Sequence, residues 1–335
     1  MIWLTWRQFR TPALAAAAAL VATLAVMAVT GSRLAHDYTA LGLSSCAAGQ
    51  EPRAGTLSCV DLEAKFLGYY PLLRLIGPLL LAVPALIGAF WGAPLLAREL
   101  EAGTHRLAWV QSVTRTRWLG VKVVVIGVVG AGLTALLGVA VTLWSGPFDR
   151  LNGRMTPEYF AQRGVVPLAY AAFAFALGVA AGAVIRRVLP AMAATLAGFV
   201  LVRIGVQYWV RPRLVHPLEL SWPTYTSGDH KPPARVASQH GWELSFRTLD
   251  RTGHVISTGG GMRDDVVVRL CHQEMGTMAK VDLEECGRQL GFHNVLRVVP
   301  ADRFWALQAW EAAIFGGLAL ALVGFSFWWV RRRAG

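Results

Sequence analysis

Residues 97–122, ARELEAGTHRLAWVQSVTRTRWLGVK, form a charge-dense stretch set between two long apolar runs. The stretch carries Arg98, Arg106, Arg115, Arg117 and Lys122 against Glu99 and Glu101. Glycine is poor inside a helix and favoured just past its end, and Thr104 after Gly103 is suited to cap a new helix. The text therefore predicts helix, corner, helix, a bent pair able to lie flat on a membrane. The flanking runs, 69–96 and 118–144, each exceed the roughly 20 apolar residues that a bilayer core requires. A basic corner between two such runs is a membrane topology, and it decides the fold class.

Composition agrees. Of 335 residues, 55% are hydrophobic and only 16% charged, and the mean hydropathy is +0.45, which excludes an ordinary soluble enzyme. A net charge of +12 would point to nucleic acid in a soluble chain, but no basic, aromatic-interleaved groove segment is present. The charges gather in short segments between apolar runs, so no nucleic-acid partner is expected and the lipid bilayer is.

Working outward, MIWLTWRQFRT at the amino terminus sets Trp3, Trp6 and Phe9 among Arg7 and Arg10, which predicts a short amphipathic helix at the headgroup level. Six spans follow, at 12–30, 69–96, 118–144, 165–185, 190–210 and 303–330. Pro71, Pro78, Pro84 and Pro94 predict bends in the second, and 31–68 reads as a polar connection. Between the fifth and sixth spans lie about ninety residues of mixed polarity, the one part suited to fold in water. There, 242–257 reads as a hairpin around Asp250-Arg251-Thr252-Gly253, 282–290 as a helix with Asp282 and Glu285 as a capping pair, and 294–299 as a strand. The expectation is an all-α polytopic membrane protein with a small extracytoplasmic α+β module: five spans within 1–210, the module at 211–302, and the sixth span with a basic tail at 303–335.

Charge orients this layout. With the amino terminus in the cytoplasm, twelve basic residues and only Glu99 and Glu101 fall on inner segments, nearly the whole excess. N and C termini are then both cytoplasmic. Cys46, Cys59, Cys271 and Cys286 all fall outside, which fits disulfides in an oxidising compartment. Three connectivities are open, and sequence proximity favours Cys46 with Cys59 and Cys271 with Cys286. No metal site is expected, since neither CxxC spacing nor paired histidines accompany the cysteines.

No phosphate loop, HExxH or GxSxG elbow is present, so no enzymatic activity and no cofactor is expected of the chain itself. Gly259-Gly260-Gly261 lacks the lysine and helix of a phosphate cradle, and the adjacent acids Asp264 and Asp265 read as a solvated loop. Ionisable residues inside spans carry more information, because they are costly in hydrocarbon. At about 1.5 Å per residue, Arg203 and Glu311 lie at matching depth in the fifth and sixth spans, and Gln207 and Gln308 match one turn further out. They predict an intramembrane polar seam, structural or lining a path. Small residues at four-residue spacing, Gly178 with Gly182 and Ala313 with Gly317 and Ala321, permit close helix packing.

At Arg98-Glu99-Leu100-Glu101-Ala102-Gly103-Thr104, followed by Leu107, Ser112, Val113, Thr114, Arg115, Leu119, Gly120 and Lys122, the sequence resembles ABC-2-type transporter permeases. Pro300, Arg303, Phe304, Trp305, Gln308 and Glu311, ending in WWVRRR, resemble the closing helix of actinobacterial six-span permeases of this class. The resemblance implies a permease subunit of the bacterial plasma membrane, an exporter in direction, coupled to a separate cytoplasmic ABC ATPase that binds ATP-Mg. It implies a homodimer, or a heterodimer with another six-span permease. It also makes 97–122 a coupling segment, with Arg98, Glu99, Glu101, Gly103, Thr104, His105 and Arg106 as the ATPase-coupling residues. The competing expectation is a sensor or mechanotransmission subunit that moves its extracytoplasmic module without transport. The module between the fifth and sixth spans is large for the family, and the sequence names no cargo.

Overall fold

The apolar runs fold as helices, since a chain in hydrocarbon must satisfy its backbone polar groups within itself. A computed structural model describes residues 2–47, 58–69, 73–103, 114–224, 241–259 and 283–333. Six of its helices are long and apolar enough to cross a membrane: Phe9–Ala40, Leu80–Glu101, Arg115–Trp144, Val166–Ile185, Val188–Leu214 and Ala301–Arg332. Phe9 near the start of the first of these helices and Val330 near the end of the last join one buried cluster with Leu96 and Trp118, and this face is termed here the terminal face.

Two expectations for the first span are corrected. The amino-terminal segment is not a separate interfacial helix, and 31–68 is not all connection. One helix, α1, runs from Ile2–Ala40 with Pro12 inside it. Its 39 residues measure about 58 Å, well beyond a hydrocarbon core of about 30 Å. Both overhangs have packing partners, which is why the helix continues. On the terminal face Phe9 meets the Trp91 ring edge-on at 4.7 Å. On the far face Leu34 and Tyr38, one turn apart, join Leu43, Phe66 and Phe148 in a buried cluster. That cluster is built from α1, α2 (Leu43–Ala47), α3 (Cys59–Tyr69) and the later α7 (Gly146–Asn152). The Cys46–Cys59 disulfide links the first two of the short helices. Cys286 is also disulfide-bonded, while Cys271 lies outside the described residues.

The second span is α4 (Leu73–Ile87), a π-helical turn at Gly88–Gly92 and α5 (Ala93–Glu101). The regular α-helix is interrupted at the π turn, with Pro94 near the first position of the new helix, where its missing N–H costs nothing. The third span is α6 (Arg115–Trp144), capped by Thr114, whose hydroxyl accepts from Arg117 N. A short α8 (Pro157–Phe160) precedes the fourth span, α9 (Val166–Ile185). The fourth is the central helix, in contact with the second, third, fifth and sixth spans. The fifth is α10 (Val188–Gly205), a π turn at Val206–Val210 and α11 (Arg211–Leu214).

Between the fifth and sixth spans is a four-stranded antiparallel sheet of order β1-β4-β2-β3: β1 (Leu218–Pro223), β2 (Trp242–Leu249), β3 (Val255–Thr258) and β4 (His293–Val299). The hairpin is the predicted one. Asp250 Oδ1 accepts from the N–H groups of Thr252 and His254, and Gly253 takes φ 84°. Strand β1 was not predicted; as an edge strand it tolerates Pro223, which argued against a strand in the sequence. It pairs Leu218 with Val298 through Pro223 with His293. The helix α12 covers Leu283–Gln289, with Glu285 bonded to Arg288 and Gln289 along its own surface, while Asp282 lies outside the described residues. Buried β4 seats the sheet on the bundle, where Val299 joins the same core as Phe304, Leu307 and Phe315 of the sixth span, α13 (Phe304–Arg333).

Candidate functional site

Two polar constellations interrupt the apolar bundle, one at each face. On the terminal face the second span ends where the sequence places its corner. Ala102 N donates to Arg98 O at 3.0 Å, closing the last turn, and Gly103 follows at φ 71°, the left-handed conformation that ends a helix. The carboxylates just before this corner each tie it to another span, Glu99 half-buried and Glu101 exposed. Glu99 is ion-paired with Lys122 of the third span, whose ammonium also lies 4.8 Å from the Trp118 ring centroid. Glu101 Oε2 accepts from Val188 N at 3.0 Å, the first amide of the fifth span. A carboxylate there satisfies an orphan donor and faces the positive end of the helix dipole. Arg186, at φ 59°, makes the tight turn that brings this helix start beside the corner.

The span carrying those carboxylates has no slack. A Cβ at Gly88 would lie 2.4 Å from Ala174 O, one at Gly178 2.2 Å from Gly88 O, and one at Gly182 2.4 Å from Ala93 O. The Gly178 and Gly182 pair is the small-residue spacing read from the sequence, and its partner surface runs from the π turn of the second span into α5. The other stripe differs: Gly317 has nothing within 4 Å of the added Cβ. Arg98 is exposed at the corner, while Thr104, His105 and Arg106 lie outside the described residues.

On the opposite face the polar seam has another membership than depth matching predicted. Glu311 is fully buried and is held by Arg211, not Arg203. Arg211 donates from Nε to Glu311 Oε2 and from Nη2 to Oε1, each at 2.8 Å, a bidentate pair. The Tyr170 hydroxyl donates to Glu311 Oε1 and accepts from Arg211 Nη2 at 3.2 Å. The guanidinium stacks 4.7 Å from the Phe160 ring centroid and 5.9 Å from that of Trp242, the first residue of β2. One arginine thus joins the fourth span, the sixth span and the sheet. Arg203 is half-buried over the Tyr170 ring at 5.5 Å, and Gln207 is half-buried nearby on the fifth span. Gln308 is buried and caps the fourth span rather than meeting Gln207. Its Oε1 accepts from Val165 N and Val166 N at 3.1 and 3.0 Å, and its Nε2 donates to Phe160 O at 3.1 Å.

Straight helices with equal rise misplace Arg211, because the π turn at Val206–Val210 changes the register before it. The overlooked signals were Tyr170, an ionisable hydroxyl inside an apolar span, and an arginine two residues past a tryptophan at the membrane edge. A third polar contact clamps the loop before the fourth span. Arg163 pairs with Asp149 at 2.5 Å and donates to Ser145 Oγ at 2.9 Å. Burial pushes the Asp149 carboxyl up to about 6, against the opposing pull of Arg163, Ser145 and Arg154. Among the described residues no group of three or more His, Cys, Asp or Glu side chains is placed to hold a metal, and Asp264 and Asp265 lie outside them.

What this arrangement offers is polar ties from one helix end to two others. Comparison with known proteins bears on the class of machine. No curated protein and no solved structure matches the chain. The family model described as ABC-2 membrane transporter related matches residues 17–211, more than half the sequence, from the first span to the arginine that grips Glu311. The chain is a multi-pass membrane protein and a member of that ABC-2 transporter permease family.

Proposed function

We propose that the chain is the membrane-spanning subunit of an ABC-2 exporter, driven by ATP hydrolysis on a separate cytoplasmic ABC ATPase that docks at the corner after Glu101. The observation that carries this reading is the pair of carboxylate ties at the end of the second span. Glu99 ties the end of the second span to the third, and Glu101 ties it to the start of the fifth. A push at the corner therefore reaches three spans at once, and the fourth follows through its glycine contact with the second. Glu99 and Glu101 act in this reading as transmission residues, with Arg98 and the segment after Gly103 meeting the ATPase.

The terminal face is the cytoplasmic one, as its basic residues favour, and the sheet is extracytoplasmic. Two six-span subunits, identical or not, flank the path in the bacterial plasma membrane. ATP-Mg belongs to the partner, and the chain contributes no catalytic group.

The full chain, purified from its native membrane in mild detergent, is expected to bring an ABC ATPase with it, and the complex in vesicles to hydrolyse ATP at a rate different from that of the ATPase alone. The double variant Glu99→Ala, Glu101→Ala is expected to keep the ATPase bound while its rate returns to that of the isolated subunit. Absence of any ATPase from the wild-type preparation, or a double variant with the wild-type rate, would overturn the reading.

A further inference from the structure

A groove opens between the first and second spans, and its two halves differ in chemistry. The half at the terminal face, about 400 Å³, is lined by Thr5, Phe9, Arg98, Glu99 and Lys122 among others. The half toward mid-membrane, about 310 Å³, is lined by Ala16, Ala19, Leu20, Leu86 and Leu137 among others. Phe90 and Trp91 border both, so the two adjoin along the same pair of spans. The groove exists because α1 packs along the third span, from Gly31 beside Trp144 downward, and touches the second span mainly where Phe9 meets Trp91.

We propose that this groove holds an anionic phospholipid of the surrounding bilayer, with an acyl chain along Ala16, Ala19 and Leu137 and the phosphate beside Arg98. Water does not suit the inner half. Its only hydroxyls are those of Thr23 and Thr134, and both donate to carbonyls of their own helices, to Ala19 O and Gly130 O at 2.8 Å. A buried water needs two to four polar partners, which this half does not present. A helix does not suit it either, since a helix with side chains is about 10–12 Å across and the space is far smaller. An acyl chain fits both limits.

Length and charge agree. From Arg98 to Leu86 is about 18 Å along a helix, close to the depth of one leaflet of a core about 30 Å thick. At the polar end Glu99 is ion-paired with Lys122, and among the described lining residues the exposed Arg98 is the other charged group, a cation placed to meet the head group. The site shares Arg98 with the corner assigned to the ATPase, but it does not require transport: a lipid seated here wedges the first span from the second whether or not anything is exported, and lipid retention is read without the ATPase.

The test uses the full chain in nanodiscs of phosphatidylcholine mixed with phosphatidylglycerol, extracted into mild detergent and read by native mass spectrometry for retained lipid. Phosphatidylglycerol is expected to be retained about fivefold over phosphatidylcholine, the effect of one cation near a head group. Arg98→Ala is expected to abolish that preference. Ala19→Trp, which fills the apolar half, is expected to remove bound lipid of both kinds. Ala18→Trp adds the same side chain on the exposed side of the same helix and is expected to retain lipid like the parent. Equal retention of the two lipids by the parent, retention unchanged by Ala19→Trp, or a disulfide between two copies of an Ala19→Cys variant would each overturn the proposal.

Discussion

Arg211 grips Glu311 through two hydrogen bonds of 2.8 Å, with both side chains 1% exposed, at the point where the fifth span gives way to the sheet. The pair spans 100 positions of sequence and closes the fourth, fifth and sixth spans around the Tyr170 hydroxyl. Two charges taken from water repay their desolvation only with such geometry, so the cost of breaking the pair exceeds the cost of replacing it.

Glu311→Ala is therefore expected to destabilise the protein by about 3–5 kcal/mol, because it leaves a buried guanidinium unpaired. The double replacement Arg211→Met, Glu311→Leu is expected to recover most of that loss, whereas Arg203→Ala costs no more than a cation–π contact of about 0.5–2 kcal/mol. Thermal unfolding in detergent, followed by loss of the monodisperse chromatographic peak, ranks the variants. An Arg203→Ala protein as unstable as Glu311→Ala would return the seam to its depth-matched form.

Gly178→Ala places a methyl 2.2 Å from Gly88 O, where backbone on both helices must move. The expected cost is about 1–3 kcal/mol, that of overpacking a close crossing. Gly317→Ala meets nothing within 4 Å and is expected to be neutral, or to gain up to about 1 kcal/mol from helix propensity. The same unfolding assay separates the two.

Asp149 links stability to pH. Its carboxyl is raised from 3.8 to about 6 chiefly by burial, so the folded protein holds that proton more tightly than the unfolded chain. The stability it contributes is full below pH about 4 and is lost as pH rises through about 6. Asp149→Asn, which cannot ionise, is expected to match the wild type at low pH, to become the more stable of the two between pH 4 and 6, and to hold a constant lead above that. Unfolding midpoints measured across this range check the sign; a wild type that gains on the variant with rising pH would show that the Arg163 pair outweighs desolvation.

Much of the fold was legible because hydrocarbon is a demanding solvent. A long apolar run has one stable solution in it, so span positions followed from composition alone, and the helix end at Gly103 and the hairpin turn at Gly253 followed from local backbone chemistry. The far end of α1 obeyed no such rule. Nothing in the polar text after residue 30 announced that α1 continues to Ala40, because the reason is the Leu34 and Tyr38 contact with Phe66 and Phe148, made by segments distant in sequence.

The candidate site divides in the same way. Residue types and depth, by themselves, determined that Glu311 and Gln308 would be buried polar groups in need of partners and that Glu99 and Glu101 stand at the end of the second span. Only the tertiary structure decided what each one holds. The π turn before Arg211 brings that guanidinium to Glu311, and the left-handed turn at Arg186 brings Val188 to Glu101. Pairing depends on where backbones approach within a few ångströms, and that distance is set by packing across the whole bundle rather than by any stretch of sequence.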